Sequence, residues 1–298
     1  MYIPAQITDA HHHLWDLSHC HYPWLMERGV KRFFGDPAPI QRDYLVDDLR
    51  VDFAALPVTK SVHIQVGVAL EDSLKETRWV QQCAEDSGLP NAIVAFADLC
   101  SDDLGDVLDE HAKSAAFRGI RQIVGRSAEE DAKTGTNTLL EDPAFVAGLK
   151  ELASRGLSFD LQLTPPLMHE TAQVLGKVDG LRVALCHAGS PSDFSDAGMA
   201  AWRAGLKELA QLPGMICKLS GFGMFKHDWT EAHIRPLIES AIDVFGPQRI
   251  AFGSNFPVDK LYAPYERTMR AYLSLTQEHT SDEIDAMFCT NAERFYRI

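Results

Sequence analysis

Along the chain, short apolar runs rich in β-branched and aromatic residues alternate with longer stretches whose apolar positions recur at helical spacing. Eight short runs occur, at 7–13, 61–67, 92–99, 117–124, 158–163, 183–189, 216–222 and 250–258. Strands that alternate with helices imply a parallel sheet. The stretches between them carry helix punctuation. Asp142-Pro143 reads as an N-cap with proline in the first turn, Leu149 and Leu152 supply the apolar face, and Gly156 ends the helix. Trp79, Val80, Cys83 and Ala84 form a stripe that stops at Gly88, and Thr280 with Glu283 fits a capping box before the last helix. Eight strand-helix units in 298 residues suit a closed (β/α)8 TIM barrel, which takes roughly 250 residues plus insertions. An open doubly wound sheet is the runner-up. No linker-like or low-complexity stretch divides the chain, so residues 1–298 read as a single domain. Its first connection, 14–60, is long and holds Pro23, Pro37 and Pro39 with Trp15, Tyr22, Trp24, Phe33 and Phe34, as a lid would.

Composition narrows the partners. With 28 Lys and Arg against 42 Asp and Glu, the net charge of −14 opposes a grip on nucleic acid or an anionic membrane. A small-molecule substrate is the expectation, and a homo-oligomer is left open. The cysteines Cys20, Cys83, Cys100, Cys186, Cys217 and Cys289 contain no C-x-x-C pair and read as reduced and buried. No signal-peptide pattern and no 18-residue apolar run is visible, so a cytoplasmic location is expected.

The densest chemical signal is Asp9-Ala10-His11-His12-His13 at the end of the first run. In an extended strand Asp9, His11 and His13 share one face and His12 points to the other, so two imidazoles converge on a spacing that suits zinc or a related divalent ion. Asp9, one step deeper, is placed to orient a histidine. His187 follows the apolar Val183-Ala184-Leu185-Cys186 at a strand's C-terminal end, where a barrel enzyme carries its chemistry. Arg121 and Lys218 are charges late in apolar runs. Each would bind an oxygen-rich substrate or a carboxylate, or else form an internal salt bridge with Asp98 or Asp160. Gln65 shares a face with His63, and Gln162 with Asp160. Trp15, Tyr22 and Trp24, joined by Phe256 and Asp259, are candidates for the mouth, with Trp15 first. There is no phosphate-binding G-x-x-x-x-G-K-[ST] loop and no G-x-S-x-G nucleophile elbow, so Ser220 and Ser254 read as hydrogen-bonding residues.

Taken in order, Asp9 to Asp16, Tyr22-Pro23-Trp24-Leu25, Phe117-Arg118-Gly119-Ile120-Arg121 and Cys186-His187-Ala188-Gly189 resemble the amidohydrolase-related proteins of the metal-dependent hydrolase superfamily. Lys218-Leu219-Ser220-Gly221, Phe252-Gly253-Ser254-Asn255-Phe256-Pro257-Val258 and the closing Asn291 to Tyr296 extend the likeness nearly end to end, toward the branch of sugar-lactone and muconolactone-type lactonases. The resemblance implies a (β/α)8 barrel, His11 and His13 as first-strand metal ligands and His187 as the third histidine. It departs at Asn255, where much of the superfamily carries a metal-binding aspartate that accepts the proton of the attacking water. An amide oxygen can ligate a metal or orient water but cannot be that base.

The resulting expectation is hydrolysis of a small oxygenated lactone. One route uses a divalent metal, zinc first, held by His11, His13 and His187. The other is metal-free, with His187 or His63 as base, Asn255 orienting water, and Arg121, Lys218, Gln65 and Trp15 around the substrate. Decarboxylation of a small unsaturated or aromatic acid is the alternative reaction, and a barrel that binds a ligand without turnover is a third reading.

Overall fold

In the computed structural model, which describes residues 1–126 and 136–298, the eight strands are β1 Ile7–His12, β2 Val58–Ile64, β3 Ala92–Ala95, β4 Phe117–Ile120, β5 Ser158–Leu161, β6 Arg182–Leu185, β7 Met215–Leu219 and β8 Ile250–Phe252. Each pairs in parallel with the next in sequence. The seam between last and first is closed just beyond β8. There the Asn255 N–H donates to the His11 carbonyl at 2.7 Å and the His13 N–H donates to the Phe256 carbonyl at 2.7 Å. This is a (β/α)8 barrel, and the open doubly wound sheet is set aside.

Every strand stops before its apolar run does. Past the last ladder bond the chain must turn over the barrel mouth, and Leu99, Val124, Leu163, Phe222 and Val258 are buried in that layer of turns. Hydrophobicity therefore marks the strand together with the turn that follows it, which pattern reading alone cannot divide.

The helix punctuation acts as expected. The Asp142 carboxylate accepts the Ala144 N–H at 2.8 Å, and the helix Pro143–Ser154 buries Leu149 and Leu152. The helix Ser73–Ser87 ends at Gly88, whose φ of +80° suits glycine; of its stripe Val80 is buried, while Trp79, Cys83 and Ala84 are half-buried. Thr280 and Glu283 cap each other at the start of Ser281–Asp285.

Small side chains, Ala10, Ala92, Ala184 and Ala251, pack with Val62 and Ile64 in one core cluster, against which the helix Asn291–Tyr296 sets Phe295 and Tyr296. Near it lies a buried ion pair. Lys218 Nζ is 2.5 Å from Asp160 Oδ2, and the Tyr296 hydroxyl donates to the same oxygen at 2.7 Å. A charge sealed in a barrel must be paired, and these two satisfy each other.

All six cysteines are free. Cys83 and Cys100 are only half-buried, a correction to the expectation that all are buried: both pack against the core from its edge, Cys83 on a helix and Cys100 in a turn. No helix among the described residues is long and apolar enough to cross a membrane.

Candidate active site

The β1 histidines part company at a bulge. Asp9 pairs with Ser61 and His12 with His63, so β1 fits one more residue than β2 into the same span, and strict alternation fails. His11 and His13 still converge, with ring centroids 5.1 Å apart, and His11 lies 4.6 Å from the His187 ring. His12 points elsewhere, its Nε2 2.9 Å from the Ser61 hydroxyl. Asp9 does not touch an imidazole. Its carboxylate accepts the N–H groups of His11 and Ser254 and the Tyr265 hydroxyl, which ties β1 to the turn after β8.

His187 reaches the mouth through a sharp turn. His187 and Ala188 adopt left-handed conformations, φ +54° and +49°, immediately after β6, and the Trp202 indole holds the Ala188 carbonyl at 2.7 Å. The ring then lies over Gly221, where a Cβ would come within 2.5 Å of His187 Nδ1. Glycine after β7 is thus a requirement of the His187 pose. Gly253 serves β1 similarly, since a Cβ there would meet the His11 backbone nitrogen at 2.8 Å.

Hydrogen bonds fix what each group offers. The Ile64 carbonyl takes the Nδ1 proton of His13 at 2.7 Å, leaving Nε2 as an acceptor. Asp259 accepts the Gly223 N–H at 2.8 Å and Asn255 Nδ2 at 2.6 Å, so the Asn255 amide turns Oδ1 toward His13 Nε2, 3.3 Å away. Two lone-pair donors thus face a common space. Both ring nitrogens of His11 are buried without a partner. His187 Nδ1 meets the Ser220 hydroxyl at 3.0 Å. Burial, reinforced by Lys218 for His11 and by Arg121 for His187, holds both imidazoles well below the usual histidine range, and burial takes His13 down to about 3. All three are neutral at pH 7.

This donor set fits a divalent cation in kind: the partnerless ring nitrogens of neutral His11, the accepting Nε2 of neutral His13 and the Asn255 amide oxygen aimed at it. It holds no carboxylate, and no ready-made group of three or more His, Cys, Asp or Glu ligands exists among the described residues. His11, His13 and Asn255 are the residues that would hold the ion.

Above the histidines is a cavity whose wall includes His13, His187, Asn255, Arg121 and Gln162, closed from the first long connection by Trp24, Arg32, Phe33 and Phe34. Sequence reasoning missed Arg32 and Arg126 as wall residues, and no periodicity marks such positions in loops.

Several expected site residues lie outside that wall. Trp15 is fully buried, packs on Trp24 and Tyr44, and donates its indole N–H to the Arg42 carbonyl at 2.6 Å. Lys218 is sealed against Asp160, the ion-pair alternative, which corrects its reading as a substrate contact. Gln65 receives the Gly67 N–H and donates to the Arg121 carbonyl, bracing the turn after β2. His63 is enclosed, with Nδ1 accepting the Leu14 N–H at 3.2 Å, and has no face on the cavity. Asp259 acts through Asn255, and Phe256 packs on Tyr265.

Known proteins agree with this architecture. The chain is 40% identical over 298 residues to the uncharacterized protein y4mH of Sinorhizobium fredii, with 98% of each covered. It is 30% identical over 270 residues to an L-fucono-1,5-lactonase of Burkholderia multivorans, covering 87% of this chain and 84% of that one. A crystal structure of an amidohydrolase from Burkholderia multivorans with bound zinc superposes with a TM-score of 0.84 at 27% identity, over 98% of this chain and 99% of that one. The amidohydrolase family model matches residues 8–298, and the chain belongs to that family.

Proposed function

We propose that this enzyme hydrolyses the ring ester of a small lactone. The observation that carries the reading is the His187 imidazole, neutral, buried and facing a cavity shared with His13 and Asn255. Its Nδ1 is bonded to Ser220, so Nε2 is left toward the cavity, where it accepts the proton of an attacking water. Water oxygen bonds to the ring carbonyl carbon, the ring C–O bond breaks, and the departing alkoxide takes up the proton that His187 accepted from the water, which returns the imidazole to its neutral form. The product is the open hydroxy acid, which ionises and releases a proton to solution.

Lactones are activated esters, so positioning, one base and charge stabilisation suffice. Asn255 cannot take a proton, and its fixed amide oxygen orients water or a ligand. His11 and His13, with the Asn255 amide oxygen, are the residues that would hold zinc, an ion present in the related Burkholderia multivorans structure. A bound ion supplies Lewis-acid polarisation. The lactonase names of the curated relatives support the same reaction class.

The test is proton release from a panel of lactones, with protein as purified, after chelation, and after zinc is restored. Turnover lost with chelator and recovered with zinc supports the metal route, and turnover indifferent to chelator supports His187 acting without metal. Carbon dioxide release from an unsaturated or aromatic acid, with no lactone opened, contradicts the proposal.

A further inference from the structure

The inward stripe of the helix Ser73–Ser87 consists of Ser73, Glu76, Thr77 and Val80, the i, i+3, i+4 and i+7 positions that face a core. Glu76 is therefore a carboxyl where the pattern calls for an apolar side chain, and it is 2% exposed. Burial pushes it up to about 8, so it is mostly uncharged at neutral pH. It stands behind the cavity wall and takes no part in the ester-opening chemistry. A buried polar group is costly unless it is bonded, and its bond shows what it serves: Oε1 accepts the Val66 N–H at 3.2 Å.

Val66 and Gly67 form the turn after β2 and belong to the cavity wall. Two successive peptide planes of that turn are each held at both ends. In the first, the Gln65 carbonyl accepts from Arg121 and the Val66 N–H donates to Glu76. In the second, the Gly67 N–H donates to Gln65 Oε1, and the Val66 carbonyl accepts the Trp24 indole N–H at 2.6 Å. Trp24 is half-buried and lines the cavity, with Trp15 and Phe34 edge-on to its ring at 5.9 and 5.8 Å. Its indole lies against the turn, since a Cβ on Gly67 would come within 3.5 Å of indole Cδ1 and Nε1. The root of the same connection is held separately: the His21 carbonyl accepts the Ala69 N–H at 2.8 Å, and the His21 N–H donates to Asp72 at 2.8 Å. Loss of the Glu76 acceptor thus loosens the anchor of the indole and leaves the connection docked.

We infer that Glu76 is a positioning residue: by holding the Val66 N–H it sets the Val66 carbonyl, and with it the plane of the Trp24 indole that a substrate in the cavity meets. The kinetic consequence rests on the lactonase reading, and the structural one does not.

The chain has five tryptophans, so 5-fluorotryptophan labelling gives five ¹⁹F resonances, and that of Trp24 is the one missing from Trp24→Phe. Glu76→Met removes the acceptor, and Glu76→Asp withdraws it by one methylene. In each of these that folds, the Trp24 resonance should shift or broaden while that of Trp79, on the Glu76 helix itself, stays in place. Glu76→Gln keeps an acceptor oxygen and should leave both resonances where they are. With D-galactono-1,4-lactone as probe, KM should rise about 3- to 10-fold in Glu76→Met at nearly constant kcat, the size of one lost hydrogen bond expressed in binding. Trp24→Phe should raise KM likewise, and the two substitutions together should raise it no further than either alone. A Trp24 resonance unmoved in both Glu76→Met and Glu76→Asp overturns the inference, as does a Trp79 resonance that moves in step with it. So does a KM unchanged by Trp24→Phe, or one on which the two substitutions multiply. If the unaltered protein opens neither this probe nor any lactone of the panel, the lactonase reading fails and the fluorine spectra still decide the role of Glu76.

Discussion

Asn255 stands where a carboxylate would make both a metal ligand and a base; an amide oxygen is capable of the first role alone, and its surroundings fix where that oxygen points. Asp259 and Gly223 decide which end of the amide faces His13. Asp259→Ala frees that amide to rotate, and zinc affinity measured by competition with a chromophoric chelator should fall about 10- to 100-fold, the usual effect of removing the group that orients a ligand. Unchanged affinity would separate Asn255 from the metal. His187→Ala removes the neutral imidazole that faces the cavity, and turnover should drop by a factor of roughly 10² or more with the circular dichroism spectrum retained. Near-normal turnover in that variant would take His187 out of the reaction. The same two positions show what a sequence can reveal of a site. The residue types at β1, β6 and β8 were legible because metal and proton chemistry admits few side chains. The orientation of the Asn255 amide was not, since it depends on a carboxylate four residues on and a backbone N–H from another turn.

Among the elements, β5 and β7 are joined inside the barrel by the Asp160–Lys218 pair, with Tyr296 of the C-terminal helix on the same oxygen. Lys218→Met leaves a buried carboxylate facing no cation and should cost about 3–5 kcal/mol in denaturant unfolding. Replacing both partners, as Asp160→Asn with Lys218→Met, should recover part of that loss; a double variant no more stable than the single one would show that the charges are not coupled. The strands themselves were readable from apolar runs alternating with helical stripes, and so was the barrel. Their C-terminal limits were not, because the turns over the mouth are as apolar as the strands. The bulge in β1 also escaped alternation, because an extra residue between Asp9 and His12 leaves no trace in hydrophobicity. The wall residues from the first long connection, Arg32 and Phe33 among them, are placed by loop packing that has no period to read.

Across the whole molecule, buried ionisable groups set opposing slopes of stability against pH. Burial takes His12 down to about 3 and His111 to about 4. The unfolded chain therefore binds more protons below about pH 6.5, and stability is lost as pH falls from there toward those values. Burial also pushes Glu76 up to about 8 from 4.5, so its carboxyl is mostly protonated in the folded protein at neutral pH. Here the folded state holds the extra proton, and stability declines as pH rises from about 5 through 8. Melting temperature should therefore pass through a maximum between these limbs, and Glu76→Gln should flatten the alkaline one. A Glu76→Gln profile with an unchanged alkaline slope would contradict this assignment. Water attack on the lactone carbonyl is tested by turnover in ¹⁸O-enriched water, followed by mass spectrometry of the hydroxy acid. One ¹⁸O atom should appear in the newly formed carboxylate, at a rate that collapses in His187→Ala. Ring opening no faster than in buffer alone, or a labelled product formed equally well by His187→Ala, would contradict it.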